Sequence, residues 1–297
     1  MGDYITRPDY NIAMTQLLGI SDHDRDSAAL TYVYPVVSRR SGGVSVGINL
    51  NTNHACNWRC IYCQVPDLQR GSAPPADLAL LGRELRGFLH ELLEGDFMGQ
   101  RVPPEARRLN DIALSGNGEP TSTPNFEEVV ELIGTILKEF ALLGKIKLVL
   151  ITNGSLMFRP SVQAGLEKMA QLNGEVWFKL DRATSTGIKE INDSALSTEK
   201  VREHLTIAAR RCPTWLQTCL FNLDGLPPSD EEKSAYINLV ESLAREGARL
   251  RGIMLYGLAR PSLQAEAPRL GAITETWATG LVAELEKLGL EIRRNGV

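Results

Sequence analysis

Val44-Ser45-Val46-Gly47-Ile48-Asn49-Leu50 reads as a strand, and it runs into Cys56-Asn57-Trp58-Arg59-Cys60-Ile61-Tyr62-Cys63. A dinucleotide-binding fold would carry G-x-G-x-x-G after its first strand. The C-x3-C-x2-C loop occupies that place, which argues against such a fold. Three thiolates on one short loop can hold three irons of a cubic [4Fe–4S] cluster. No fourth cysteine lies nearby, so one iron would stay open for a substrate or cofactor. Zinc is the competing metal, since it also takes clustered thiolates, usually with a second pair or a histidine. His54, two residues before Cys56, is the candidate fourth ligand for that reading. Free cysteines also pack as small hydrophobes, but polar Asn57 and Arg59 between these three suit a core element poorly.

Working outward, strands and helices alternate. Asp77 to Leu93 has helical spacing, and Asp111 to Ser115 is a short strand ending in a glycine-rich turn. Phe126 to Leu143 reads as a long helix, with Pro124 before it and Gly144 as its C-cap. Then come strand Lys147 to Thr152, helix Ser161 to Leu172, strand Glu175 to Leu180 and helix Thr198 to Arg211. Strand Leu216 to Phe221, helix Asp230 to Glu246, strand Gly252 to Tyr256 and helix Glu275 to Leu288 complete the series. Six strands, each followed by a helix, predict an α/β protein with a parallel sheet. Right-handed crossovers leave a doubly wound sheet or a full or partial β/α barrel. Residues 1–42 are polar, with the acidic stretch Ser21 to Asp26, and read as an N-terminal extension packed on a barrel spanning 43–297.

The chain has 297 residues, 43% of them hydrophobic, and a net charge of −4. That is ample material for a large core and no global basic bias of the kind nucleic-acid binders carry. Five cysteines, three of them clustered, suit a reducing cytoplasm better than a disulfide framework. No apolar run approaches a membrane span, and the first residues lack the pattern of a signal peptide. Gly2 with Thr6 matches the weak myristoylation pattern, for which chance is the better explanation.

In β/α barrels and open α/β sheets, ligands sit at the carboxyl ends of the strands. The cysteine loop, Gly116-Asn117-Gly118-Glu119-Pro120, Thr152-Asn153-Gly154-Ser155, Lys179-Leu180-Asp181 and Tyr256 to Pro261 would all face one mouth. The glycine turn lets backbone approach a ligand closely, and Asn153 and Asp181 can bond hydroxyls. Lys179 and Asp181 share a strand face and read equally as a structural ion pair. Cys212 and Cys219 read as buried structural thiols.

Cys56, Cys60 and Cys63, with Tyr62 before the last, resemble the signature of the radical S-adenosylmethionine (SAM) superfamily, and Gly116 to Pro120 resembles its glycine-glutamate motif. The resemblance implies a partial (β/α)6 TIM-type barrel, one [4Fe–4S] cluster on the three cysteines, and SAM chelating the open iron. It further implies reductive cleavage of SAM to a 5′-deoxyadenosyl radical that abstracts hydrogen from a substrate. Gly116, Asn117, Gly118, Glu119, Asn153, Lys179, Asp181 and Tyr62 are the implied cofactor contacts. Pro35 to Arg40, Gly47 to Asn49, Ile151 to Leu156, Phe178 to Asp181, Gln217-Thr218 and Ala259 to Pro261 are similar to a subgroup labelled wyosine-synthase-like. The tRNA enzyme behind that label carries a second cluster on further cysteines near its N-terminus, and this chain has no cysteine before Cys56.

Cleaving SAM needs a strongly reducing cluster, whose potential depends on burial and on hydrogen bonds to its sulfurs. The Asn57 and Arg59 amides are candidate donors, while Trp58 and Tyr62 can shield the cluster or stack on adenine. The expected electron donor is a flavodoxin or ferredoxin. A peptide or small metabolite is favoured over an RNA base as substrate, because Arg101, Arg107, Arg108, Arg249 and Arg251 fall at the amino ends of strands, opposite the mouth. The alternative is a non-catalytic iron-sulfur or zinc module that senses redox state; it gives no reason for the glycine-glutamate turn.

Overall fold

Each apolar run that ends in a turn becomes a strand, and each amphipathic run behind it a helix. The computed structural model describes residues 17–18, 28–38, 42–246, 248 and 250–297. The acidic stretch 21–26, Gly2 with Thr6, Arg39, Arg40 and Arg249 lie outside the described residues. Strand β1 (Val33–Ser38) pairs antiparallel with β2 (Gly43–Ile48), Val33 opposite Ile48. Parallel strands β3 (Leu109–Leu114), β4 (Lys147–Thr152), β5 (Gly174–Lys179), β6 (Thr214–Cys219) and β7 (Leu250–Tyr256) follow, and β8 (Glu291–Asn295) adds in parallel at the far edge. These eight strands lie side by side in chain order.

The connections are helical: α1 (Leu78–Leu93), α2 (Phe126–Glu139), α3 (Pro160–Gln171), α4 (Ser185–Asn192), α5 (Thr198–Arg211), α6 (Asp230–Arg245) and α7 (Glu275–Glu286). Side-chain oxygens of Asp77, Thr184, Ser197, Ser229 and Thr274 accept first-turn amides and so fix where five of them begin. Alternate strand residues divide the two faces. Ile112, Leu148, Val176, Leu216 and Ile253 join the helices in the main core. Ala113, Val149, Trp177, Trp215 and Met254 form a separate cluster on the opposite face. Helices therefore cover one face of the sheet, and the other face carries the cavities.

The expected alternation of strand and helix is present, with four differences. The helix expected to reach Leu143 ends at Glu139, because Ala141 turns left-handed (φ 52°) before Gly144 (φ 78°); apolar Phe140, Leu142 and Leu143 prolonged the helical pattern past it. Strands β1 and β8 and the short helix α4 were not singled out from the sequence. Among the described residues no helix is long and apolar enough to cross a membrane.

Candidate functional site

A cleft of about 310 Å³ opens at the carboxyl ends of the strands, on the face the helices leave uncovered. Cys56, Cys60 and Cys63 all line it, together with Gly116, Gly118, Glu119, Asn153, Lys179 and Tyr62. Two expected residues do not. Asn117 is buried behind the wall with its amide on Asn49 Oδ1 (3.0 Å). Asp181 is also buried, and its carboxylate is already engaged. Oδ2 accepts from Tyr62 Oη (2.5 Å) and Asn192 Nδ2 (2.9 Å), and Oδ1 from the Cys219 amide (3.0 Å). It holds the cysteine loop, α4 and β6 together.

The loop is fixed from several sides. The Arg59 amide donates to the Asn192 carbonyl and the Ile61 amide to that of Ile191. The Arg59 guanidinium forms a two-toothed pair with Glu266 (2.9 and 2.7 Å), and Arg70 ties the Asn57 carbonyl to Asp193. Residues after β7 lie over the loop as a strap: Ser262 Oγ donates to the Ile61 carbonyl (2.8 Å) and the Leu263 amide to that of Cys63 (2.9 Å). Asn57 Nδ2 reaches Ser155 Oγ (2.7 Å) and Asn57 Oδ1 accepts from Asn153 Nδ2 (2.9 Å). Asn153 thus buttresses the loop from the end of β4.

The sulfur donors differ from those expected. The Trp58 amide reaches Cys56 Sγ (3.4 Å) and Asn192 Nδ2 reaches Cys60 Sγ (3.3 Å); the Arg59 amide is spent on Asn192 O. His54 turns away, its Nδ1 on the Pro66 carbonyl at 3.0 Å. Among the described residues no group of three His, Cys, Asp or Glu side chains is placed to hold one metal ion. Burial pushes the Cys56 and Cys60 thiols up to about 12, so as free thiols both stay protonated. A bound cation reverses that preference outright, since a coordinating thiol is deprotonated. Three thiols on one cleft wall, two of them with sulfur-directed donors, fit an iron-sulfur cluster with an open side.

Glu119 is buried and its carboxylate is also largely engaged. Oε1 accepts from the Thr121 amide and hydroxyl and from Thr152 Oγ1, and Oε2 from the Asn153 amide (2.7 Å). Burial still raises its pKa against those bonds. The glycine turn is packed on protein as well as open to the cleft: a Cβ on Gly118 would lie 2.1 Å from the Ala55 carbonyl oxygen. Lys179 meets Tyr256 Oη at 3.2 Å and sits 4.9 Å from the Tyr62 ring centre. Burial opposes its charge, but Tyr256, Asp181 and Cys60 outweigh that and hold its pKa above the ordinary lysine value.

Tyr256, expected at the mouth, lines the cleft, and so do Gln217, Cys219 and Trp177, none of which was given a role there from the sequence. Cys219, read as a structural thiol in an apolar strand, is buried yet on the cleft wall beside Tyr62. The signal was the two-residue period: Trp215, Gln217 and Cys219 share a face of β6, and glutamine is out of place in an apolar strand. Cys212 is buried away from the cleft, as expected, with its Sγ near the Gly174 carbonyl.

No family model matches the chain. It is 25% identical over 186 residues to a UPF0026 protein of Helicobacter pylori strain J99, covering 59% of this chain and 53% of that one. A Synechocystis UPF0026 protein is 30% identical over 167 residues, 54% of this chain and 52% of that one. The chain spans about half the length of the curated relatives it matches. Among solved structures, TYW1 with a lysine-pyruvate adduct bound has a TM-score of 0.55 at 16% identity, over 82% of this chain and 73% of that one. A radical SAM methyltransferase from Sphaerobacter thermophilus has a TM-score of 0.54 at 14% identity, over 85% and 66%. The α/β fold with its parallel sheet is similar to that of a radical SAM enzyme, the fold class the sequence led one to expect.

Proposed function

We propose that this chain is a radical SAM enzyme that reductively cleaves SAM and uses the resulting 5′-deoxyadenosyl radical to abstract hydrogen from a second substrate. The observation that carries this reading is the common cleft: the three loop thiols, the glycine-glutamate turn, Asn153 and Lys179 line one cavity at the carboxyl ends of parallel strands. Helices on one face only, with every strand beside its successor, suit a sheet curled into a partial (β/α)6 barrel around that cavity.

Cys56, Cys60 and Cys63 would hold the [4Fe–4S] cluster, which when bound supplies one electron to SAM at its open iron. The protein's own residues bind, orient and shield. Trp58 and Tyr62, both buried, keep water from the loop. Asn192 and the Trp58 amide, by donating to sulfur, favour the reduced cluster, whose added negative charge they stabilise. The glycine turn and Asn153 form the SAM-facing wall, and Asp181 positions Tyr62 and α4 behind it.

A peptide or small metabolite suits the second substrate better than an RNA base. Arg107 is spent on the Val102 and Gly99 carbonyls and Arg108 on Asn110, away from the mouth. A flavodoxin or ferredoxin in a reducing cytoplasm is the donor this chemistry calls for. The test is anaerobic reconstitution with iron and sulfide, reduction by dithionite, and assay of 5′-deoxyadenosine. Cleavage of SAM supports the reading; an intact, reduced cluster that leaves SAM whole overturns it and leaves a redox-sensing module.

A further inference from the structure

Gln217 sits in the middle of β6, almost fully buried at 1% exposure, and its side chain lines the cleft. Among the described residues its Nε2 has no hydrogen-bond partner. A buried donor left unpaired carries its full desolvation cost, and a donor in that state on a cleft wall is suited to a ligand atom. Its neighbours define what kind. Lys179 on β5 is in register with Gln217 and shares its face, and Tyr256 on β7 bonds Lys179. Three donors thus meet on one side of the cleft. The nearest carboxylate, Asp181, is occupied by Tyr62, Asn192 and the Cys219 amide.

Apart from Lys179, which the sequence also offered as a SAM contact, this corner is separate from the wall assigned to SAM. Gly116, Gly118 and Glu119 follow β3 and Asn153 follows β4, whereas Gln217 lies on β6, two to three strands away. At the usual strand spacing that is about 10–14 Å along the sheet. Below it, Trp177 closes the cleft with an apolar surface. One ammonium beside two neutral donors suits a singly charged carboxylate better than a phosphate monoester at about −1.5 to −2.

We propose that Gln217 Nε2 receives a carboxylate oxygen of the second substrate, in a subsite completed by Lys179 and Tyr256 over the Trp177 ring. The assignment rests on the radical SAM reading and names the substrate class: an organic acid, or a peptide side chain or terminus ending in a carboxylate.

The experiment uses cluster-loaded protein saturated with SAM, with radiolabelled propionate as the probe and propionamide as its uncharged counterpart, measured by equilibrium dialysis. Propionate is expected to bind and propionamide to bind more weakly. Gln217→Leu, of similar volume but without the donor, is expected to weaken propionate about 10- to 100-fold, the range for a hydrogen bond to a charged group. Gln217→Glu, which keeps the shape and adds a repelling charge, is expected to weaken it at least as much. SAM affinity, titrated separately in the same variants, is expected to stay within about twofold of wild type, well inside the loss expected for a direct contact. No propionate binding by wild type, or equal binding by Gln217→Leu, overturns the proposal. So does a tenfold loss of SAM affinity in Gln217→Leu, which would place Gln217 against SAM instead. Failure of wild type to cleave SAM under dithionite refutes the enzyme reading separately, whatever propionate does.

Discussion

Among the described residues, the uncovered face of the sheet carries a cavity at each end of the strands, and the two differ in how far their polar groups are paired. At the amino ends of the strands, about 500 Å³ is lined by Asp111, Lys147, Glu175, Arg251, Glu291 and Arg293 around Trp177 and Trp215. Its charges largely answer one another. Lys147 lies 3.9 Å from Glu175, which also accepts from Trp177 Nε1 (2.9 Å). Arg293 pairs with Glu291 (2.8 Å) and lies 4.0 Å from the Trp215 ring centre, and Ser45 donates to Asp111. At the carboxyl ends, about 310 Å³ holds three thiols, a lysine hydrogen-bonded to a tyrosine, and a glutamine donor without a partner among the described residues. Candidate chemistry gathers where polar groups are held without being satisfied.

Four substitutions can break or sharpen that contrast. Cys60→Ala is expected to have the largest effect, taking iron from about four per chain to near zero and abolishing SAM cleavage; retained iron and activity would remove the cluster assignment. Asp181→Ala strands three donors and is expected to cost about 3 kcal/mol or more in urea unfolding. A loss under 1 kcal/mol would mean the carboxylate does not brace the loop. Asn192→Ala removes one donor to Cys60 Sγ and is expected to lower the cluster's midpoint potential by on the order of tens of millivolts while iron is retained. An unchanged potential in a redox titration followed by electron paramagnetic resonance would refute that role. Arg251→Ala, in the amino-end cavity, is expected to leave SAM cleavage unchanged and stability within about 0.5 kcal/mol. A tenfold drop in cleavage would show that the amino-end cavity takes part.

Much of the architecture was legible because periodicity and turn chemistry carry it. Lys147 to Thr152 and Thr198 to Arg211 fall where the pattern puts them. The cysteine loop and glycine turn were legible as motifs, since spacing of ligands and glycines is a local property. What was not legible depends on contacts between distant residues. Asn192 became a sulfur donor only once α4 docked under the loop, 132 residues away from Cys60 in sequence. Asp181 looked like a ligand contact because nothing local announces that Tyr62, Asn192 and the Cys219 amide converge on it. Strand β1 was missed because Pro35 interrupts its apolar run, and pairing with β2 is what makes it a strand.

The strap over the cysteine loop also sets an order in time. Ser262 and Glu266, which bond the Ile61 carbonyl and Arg59, lie 201 and 207 residues after their partners. On a growing chain the thiols emerge long before the segment that covers them has been made. Iron delivered during synthesis meets a loop not yet held, whereas iron delivered to the finished chain meets one already fixed by the strap and reaches the thiols through the cleft.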